Sequence, residues 1–174
     1  MNGLYELIRE HLKQPEYLHA LLRVFPVEGL ALSILALIIS MVLRSRQAQI
    51  TALILVFFCA AMAWPVVKLG EQGFDATESR SNDAGYAWLD AHAQRATKLA
   101  PLFYVLAAVS LAALLLPWKF PKTALPLAVL TLLMAFVALG AGGWISYAGG
   151  QIRHSEFRYG TPPEKLGEYE KMSH

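Results

Sequence analysis

Apolar residues gather into four long runs that are separated by polar segments of unequal length. The runs cover residues 24–43, 50–67, 99–116 and 123–147. Each run is close to the ~20 residues with which an α-helix crosses about 30 Å of hydrocarbon. A water-soluble chain of 174 residues has too little interior to bury them all. The pattern therefore predicts an all-α fold: an integral membrane four-helix bundle with up-down topology.

Polar and helix-breaking residues refine the limits of the elements. They extend the predicted spans to about 18–43, 50–67, 86–117 and 123–150. Apolar residues recur at helical spacing over residues 3–13, which predicts a short amphipathic N-terminal helix. Pro26 is expected to kink the first span, and Trp64-Pro65 to end the second. We expect a loop from residue 70, with helix-capping residues at 81–83 opening the third span.

The domain organisation that follows is simple. One transmembrane domain is predicted over residues 1–158, and an extended C-terminal tail over residues 159–174.

Composition agrees with a membrane location and narrows the classes of function. The chain is 56% hydrophobic and 16% charged, and its net charge of +2 is too small to indicate a nucleic-acid partner. The single cysteine, Cys59, lies within the second run and is predicted to be a buried apolar residue. The sequence shows no nucleophile–base pair, phosphate loop or paired carboxylates. We therefore expect a protein that is not an enzyme by itself.

The charges of the two short links predict the orientation. Residues 44–47 carry Arg44 and Arg46, residues 118–122 carry Lys119 and Lys122, and neither link contains an acid. Short loops rich in cations stay cytoplasmic. Both termini and the long central loop are therefore expected on the non-cytoplasmic side of a bacterial plasma (inner) membrane.

Three histidines are expected at one level on that outward side. His19 precedes the first span, His92 precedes the third and His154 follows the fourth; if the helices continue, each lies about 7–10 Å outside the apolar core. Two imidazoles could clamp a b-type haem, with Arg23 and Arg153 as neighbouring cofactor-binding cations. Three could bind a transition metal or another small ligand. Alternatively, the histidines only form hydrogen bonds with loops and headgroups.

Two other features are candidates for function. Glu28 lies inside the first span, where an unpaired carboxylate costs at least about 2–3 kcal/mol. It could serve as a proton relay, a quinol contact or a counter-ion to Arg23 or Lys68. The end of the fourth span is rich in small residues, which let helices approach closely within the bundle, or let another subunit or a flat cofactor approach. These residues are Gly140, Ala141, Gly142, Gly143, Ser146, Gly149 and Gly150.

Two motifs resemble the bacterial membrane proteins grouped as domain of unknown function 2231. One is His19-Ala-Leu-Leu-Arg-Val-Phe-Pro-Val27, although the family commonly has a second histidine where this chain has Val24. The other is Ala148-Gly-Gly-Gln-Ile-Arg-His154, and His92 also fits the family pattern. The resemblance covers roughly residues 18–154. It implies a four-helix membrane domain, and some members of the family are linked with c-type cytochromes.

Three hypotheses about function remain open. The first is a subunit of a larger membrane assembly in electron transport, which holds a b-type haem or contacts quinol near its outward face. The second is a structural or accessory membrane subunit without a cofactor, which docks through the small residues of the fourth span. The third is a small transporter or proton path through Glu28. The expected partners are the lipid bilayer and other membrane protein subunits.

Overall fold

A computed structural model describes residues 2–163, and the regular structure in this range is entirely helical. The all-α prediction is confirmed. Residues 164–174, most of the predicted extended tail, lie outside the described range. The α-helices are α1 (Asn2–His11), α2 (Pro15–Leu22), α3 (Leu30–Val42), α4 (Arg46–Ala61), α5 (Ala63–Gln72), α6 (Phe74–Glu78), α7 (Asp83–Lys119) and α8 (Ala124–Arg153).

Four helical stretches within residues 2–163 are long and apolar enough to cross a membrane. They cover Pro15–Val42, Arg46–Gln72, Asp83–Lys119 and Pro121–Arg153. The last three contain an apolar run and extend beyond it at both ends, and the first contains its run up to Val42 and begins nine residues before it, because helical hydrogen bonding continues into the flanking polar residues. The predicted amphipathic N-terminal helix is present as α1.

The first long stretch changes its hydrogen-bonding pattern where the sequence contains Pro26. Residues Phe25–Gly29 form a π-helical turn, in which the Gly29 N–H donates to the Val24 carbonyl oxygen at 2.8 Å. Proline has no N–H to donate, and its ring crowds the preceding turn. The wider π turn accommodates it. The disturbance predicted at Pro26 therefore takes the form of a π-helical turn.

The predicted helix end at Trp64-Pro65 is wrong. Helix α4 ends at Ala61, and α5 begins at Ala63 and continues to Gln72. Pro65 thus lies in the first turn of a new helix, where a missing N–H leaves no hydrogen bond unmade.

The segment between the second and third long stretches is more helical than predicted. The short helix α6 (Phe74–Glu78) occupies part of the expected loop. The predicted cap is confirmed, because Asn82 Oδ1 accepts a hydrogen bond from the Gly85 N–H at 2.8 Å. Helix α7 then runs without a break across Pro101.

The chain forms two compact units where the sequence predicts one domain. Unit 1 consists of Met1–Leu22, Pro65–Lys98 and Gly143–His174. Unit 2 consists of Arg23–Trp64 and Leu99–Gly142. Since the long helices contribute residues to both units, the division does not follow the order of the chain.

Unit 2 has one apolar core to which α3, α4, α7 and α8 all contribute. Leucine and valine side chains fill its centre, and alanines let the helices approach closely; examples are Leu30, Leu37, Leu53, Val56, Leu106, Ala135 and Ala138. Cys59 is buried, as predicted. A Cβ added at Gly29 would lie 2.9 Å from Cys59 Sγ, so Gly29 permits this close contact.

The outward faces of the same helices are also apolar. Leu32 is 70% exposed and Leu133 is 60% exposed, and other large apolar side chains on these helices are exposed as well. Such a surface is unfavourable in water and is suited to contact with lipid.

Because Gly29 lies so close to Cys59, we expect the free energy of unfolding to depend on the size of the side chain at position 29. Gly29→Ala should lower the free energy of unfolding by about 1–3 kcal/mol, because the new methyl group overpacks the core. In a Cys59→Ala background most of this cost should disappear. Gly140→Ala is the matched control, since a Cβ there meets nothing within 4 Å. Denaturant titrations in detergent, followed by circular dichroism, measure the wild type, both single variants, the double variant and the control. An equal loss in both backgrounds would contradict this packing.

Candidate functional site

Unit 1 brings two of the three predicted histidines together. His19 lies on α2 and His92 on α7, and the centroids of their imidazole rings are 6.1 Å apart. The ring planes are nearly perpendicular, at 86°. Both side chains are half-buried. Residues that are 73 positions apart in the chain (92 minus 19) therefore form one site.

Each of these imidazoles is fixed by a hydrogen bond with the main chain. His19 Nδ1 lies 2.8 Å from the carbonyl oxygen of Val66, and His92 Nδ1 lies 2.9 Å from that of Ile145. A carbonyl oxygen can only accept, so Nδ1 carries the proton in both rings. In the neutral imidazole this leaves the lone pair on Nε2, which is the form that binds a metal.

A glycine lies against each ring. A Cβ added at Gly70 would be 3.0 Å from His19 Nδ1, and one added at Gly149 would be 3.1 Å from His92 Nδ1. Both distances are tighter than ordinary contacts between a Cβ and a ring. The absence of a side chain at these two positions therefore lets the imidazoles lie directly on the neighbouring helices.

The surroundings of the two histidines repeat each other. Val66 lies four residues before Gly70, and Ile145 lies four residues before Gly149. In both cases one helical turn supplies first the carbonyl that accepts from Nδ1 and then the glycine beneath the ring. The site therefore presents two imidazoles in equivalent environments, and a ligand between them would meet the same chemistry on both sides.

The third predicted histidine is not part of this pair. Helix α8 ends at Arg153, and His154 has extended backbone angles, so its side chain leaves the direction of the helix. His154 Nδ1 donates to the Glu156 carboxylate at 2.8 Å, and its ring stacks on Phe157. This hydrogen bond is the main reason why the pKa of Glu156 is lowered. Among residues 2–163, no three histidine, cysteine or acidic side chains form a group that could hold a metal ion.

The predicted cationic neighbours are exposed. Arg23, the first residue of unit 2, and Arg153, at the end of α8, both present their side chains to the surface. In unit 1, a different arginine has a defined environment. Arg95 lies over the Trp144 ring, with its guanidinium carbon 3.8 Å from the centroid, and donates to the Trp144 carbonyl oxygen at 3.0 Å.

Two aromatic side chains of unit 1 lie beside this arginine and tryptophan. Tyr147 stacks in parallel on Trp144, and Trp88 meets Tyr147 edge to face at 5.9 Å between centroids. Trp88 is buried and precedes His92 by one turn of α7. Sequence analysis did not select Trp88, Arg95 or Trp144. Trp88 lies four residues before His92 and Arg95 lies three residues after it. This spacing places both on the helix face of His92 and could have identified them from the sequence.

Glu28 lies in the π-helical turn of unit 2 and is exposed. The described residues of that unit give it no ion pair or hydrogen bond, including with Arg23. Lys68, the other expected counter-ion, forms an ion pair with Glu71 at 2.7 Å.

The small residues of the fourth long stretch divide into two groups. Gly142 packs in unit 2, where an added Cβ would lie 3.2 Å from Val27, and Gly149 packs against His92 in unit 1. An added Cβ at Gly143 or Gly150 meets nothing within 4 Å, and Ser146 is half-buried. Packing within the fold therefore explains only part of this glycine-rich sequence.

The glycine beneath His92 provides a test of the site. Gly149→Ala should displace the imidazole of His92 and weaken its bond with Ile145, whereas Gly150→Ala should leave the ring unchanged. The measurement is the ¹⁵N NMR spectrum of histidine-labelled protein in detergent, with His92 assigned by substitution. We expect Nδ1 of His92 to be protonated in the wild type and in Gly150→Ala. An Nε2-protonated ring in the wild type would contradict the observed geometry.

Comparison with models of protein families, with curated proteins and with solved structures finds no match to this chain. The resemblance to the family of domain of unknown function 2231 therefore stays a prediction from two short motifs. The His19 and His92 pair, with its carbonyls and glycines, is the structural basis on which a function can be argued.

Proposed function

We propose that the protein is a membrane-embedded electron-transfer subunit that holds one b-type haem between His19 and His92. The observation that supports this proposal most directly is the distance between the two imidazole rings. A metal ion bound to two imidazole nitrogens, at about 2 Å from each, places the two ring centroids about 6 Å apart. The observed separation is 6.1 Å, and perpendicular planes are compatible with axial ligands on opposite faces of a haem.

The residues present fit a haem better than a bare metal ion. The donor set consists of two neutral imidazoles, each with its Nδ1 proton held by a carbonyl. A closed zinc site needs four ligands, and among the described residues no histidine, cysteine or acidic side chain completes a group of three with the pair. A haem needs only two axial ligands from the protein, because its own four nitrogens complete the coordination.

The ring contacts with Gly70 and Gly149 support the same assignment. A hydrogen bond at the other ring nitrogen orients an axial histidine and raises its basicity as a ligand. Here a carbonyl fixes one edge of each ring and a glycine allows the ring to rest on the adjacent helix. When bound, a haem with two imidazole ligands supplies reversible one-electron transfer. The protein's contribution is to keep both Nε2 atoms deprotonated and correctly placed.

The location in the membrane is part of the proposal. The four apolar stretches would cross the bilayer, and the cationic links at residues 44–47 and 118–122 favour the cytoplasmic side. His19 and His92 would then lie near the outward face, and both termini would be non-cytoplasmic. The link of some resembling proteins with c-type cytochromes agrees with a redox role. Exchange of electrons with quinol or with another membrane subunit belongs to the same proposal.

A structural subunit is the second candidate function. Gly143 and Gly150 are open to their surroundings, so another helix could approach the fourth long stretch closely at these positions. One chain could have both a haem and a docking face. The two candidate functions therefore differ only in whether the histidine pair binds a haem. The exposed position of Glu28 gives no support to a proton path through the packed interior of unit 2.

Substitution of the paired histidines tests the proposal. Wild-type protein, expressed with a haem supply and purified in detergent, should show a Soret band and bis-imidazole α and β bands on reduction. His19→Ala and His92→Ala should each lower haem content by at least tenfold, because one axial ligand is removed. Measurement of the pyridine haemochrome against protein concentration gives the ratio.

His154→Ala is the matched control. It removes an imidazole from the same unit, but one that bonds to Glu156, so its haem content should equal that of the wild type. A wild-type protein without iron would overturn the haem proposal, and loss of haem in His154→Ala alone would overturn the assignment of the ligands.

A further inference from the structure

Arg95 on α7 is a half-buried cation for which the described residues provide no carboxylate partner. The contacts that fix its side chain are both with Trp144. The guanidinium carbon lies 3.8 Å from the centroid of the indole ring, and Nη1 donates to the Trp144 carbonyl oxygen at 3.0 Å. A guanidinium has several N–H donors in a planar fork. The described residues use one nitrogen of this fork, so the others remain to bind an anion.

Two exposed aromatic side chains complete this part of the surface. Trp144 is 55% exposed and Tyr147 is 46% exposed. Their rings are parallel to within 3°, with centroids 6.0 Å apart, and Tyr147 also contacts the buried ring of Trp88. The indole against which Arg95 lies is therefore held in one orientation while it stays accessible. We call Arg95, Trp144 and Tyr147 the Arg95 surface.

The Arg95 surface lies where two apolar runs meet polar sequence. Arg95 precedes the third run by four residues, or about 6 Å along the helix axis. Trp144 and Tyr147 are the last aromatic residues of the fourth run, which ends at residue 147. Tryptophan and tyrosine concentrate at the level of lipid headgroups, and arginines at helix ends extend to the same level. In a multi-pass membrane protein, the Arg95 surface therefore lies at the depth of the lipid phosphates.

We propose that the Arg95 surface binds the phosphate group of an anionic phospholipid in the outward leaflet, such as phosphatidylglycerol. This inference rests on the membrane location in the proposed function and does not depend on the haem. A planar guanidinium binds two oxygens of one phosphate. A lipid with a net negative charge neutralises Arg95, whereas the phosphate of a zwitterionic lipid is already compensated by its own ammonium group.

Other anions would reach Arg95 in a different way. A free phosphate ion would have to leave bulk water for a surface bordered by aromatic rings, which costs solvation free energy. A phospholipid carries its phosphate at this depth already, because its acyl chains lie in the hydrocarbon. An acidic side chain of a partner subunit is the remaining alternative, and the experiment must separate it from a lipid.

Native mass spectrometry of the detergent-purified protein tests the preference for a headgroup. Delipidated protein is mixed with equal amounts of phosphatidylglycerol and phosphatidylcholine that have identical acyl chains. The wild type should retain more phosphatidylglycerol. Arg95→Gln should lower the ratio of bound phosphatidylglycerol to phosphatidylcholine by about fivefold, the effect expected of one cation near an anionic headgroup.

Lys98→Gln is the matched control. It removes the same charge from an exposed side chain on the same helix. Since the aromatic rings and the guanidinium fork stay in place, this variant should keep most of the preference for phosphatidylglycerol.

Fluorescence quenching by brominated lipids shows where the phospholipid binds. The difference between the wild type and Trp144→Phe isolates the emission of Trp144. Brominated phosphatidylglycerol should quench this emission more strongly than brominated phosphatidylcholine, because the bound lipid lies against the indole. This measurement needs no change at Arg95, so it tests the proposal even if Arg95→Gln fails to fold.

Three results would overturn this inference. Equal retention of the two lipids by the wild type would assign Arg95 to another anion, such as an acidic side chain of a partner. Equal losses in Arg95→Gln and Lys98→Gln would show a general effect of charge, and equal quenching by the two lipids would place the lipid elsewhere. A wild-type protein without iron would instead overturn the haem proposal alone. Extraction of the protein from membranes by alkaline carbonate would overturn the membrane location itself.

Discussion

Two hydrogen bonds from imidazoles to main-chain carbonyls determine what this site can do. They join His19 to Val66 and His92 to Ile145, and they hold the protons on Nδ1. Without them, the rings could rotate about their side-chain bonds, and the neutral imidazole could place its proton on either nitrogen. With them, the lone pair of each neutral ring is on Nε2, which is the form that ligates metal. The proposed haem depends on this arrangement.

The same local arrangement of main chain and glycine holds each histidine of the pair. A carbonyl and a glycine one turn apart, as in Val66 and Gly70, fix a histidine from a different helix. The same combination recurs at Ile145 and Gly149. A ligand with two equivalent faces is the simplest match to such a site, and a haem iron with two axial positions has this property. A tetrahedral metal site would require ligands that this arrangement does not provide.

The sequence predicts the helices well because length and hydropathy dominate their formation in apolar surroundings. It also selects His19 and His92 from their similar distances to the apolar runs. It groups His154 with them on the assumption that the helix continues, whereas α8 ends at Arg153 and His154 bonds to Glu156. The carbonyl partners could not be selected, since every residue offers a carbonyl. Gly70 could not be selected either. A glycine in a polar segment indicates a loop, whereas here it lies within α5.

Electron paramagnetic resonance of the oxidised wild-type protein tests the central claim most directly. The 86° angle between the planes of His19 and His92 predicts a ferric haem with a highly anisotropic low-spin signal, which is characteristic of perpendicular axial imidazoles. The signal should disappear in His19→Ala and in His92→Ala. A high-spin signal from the wild type, or a purified protein without iron, would contradict the account.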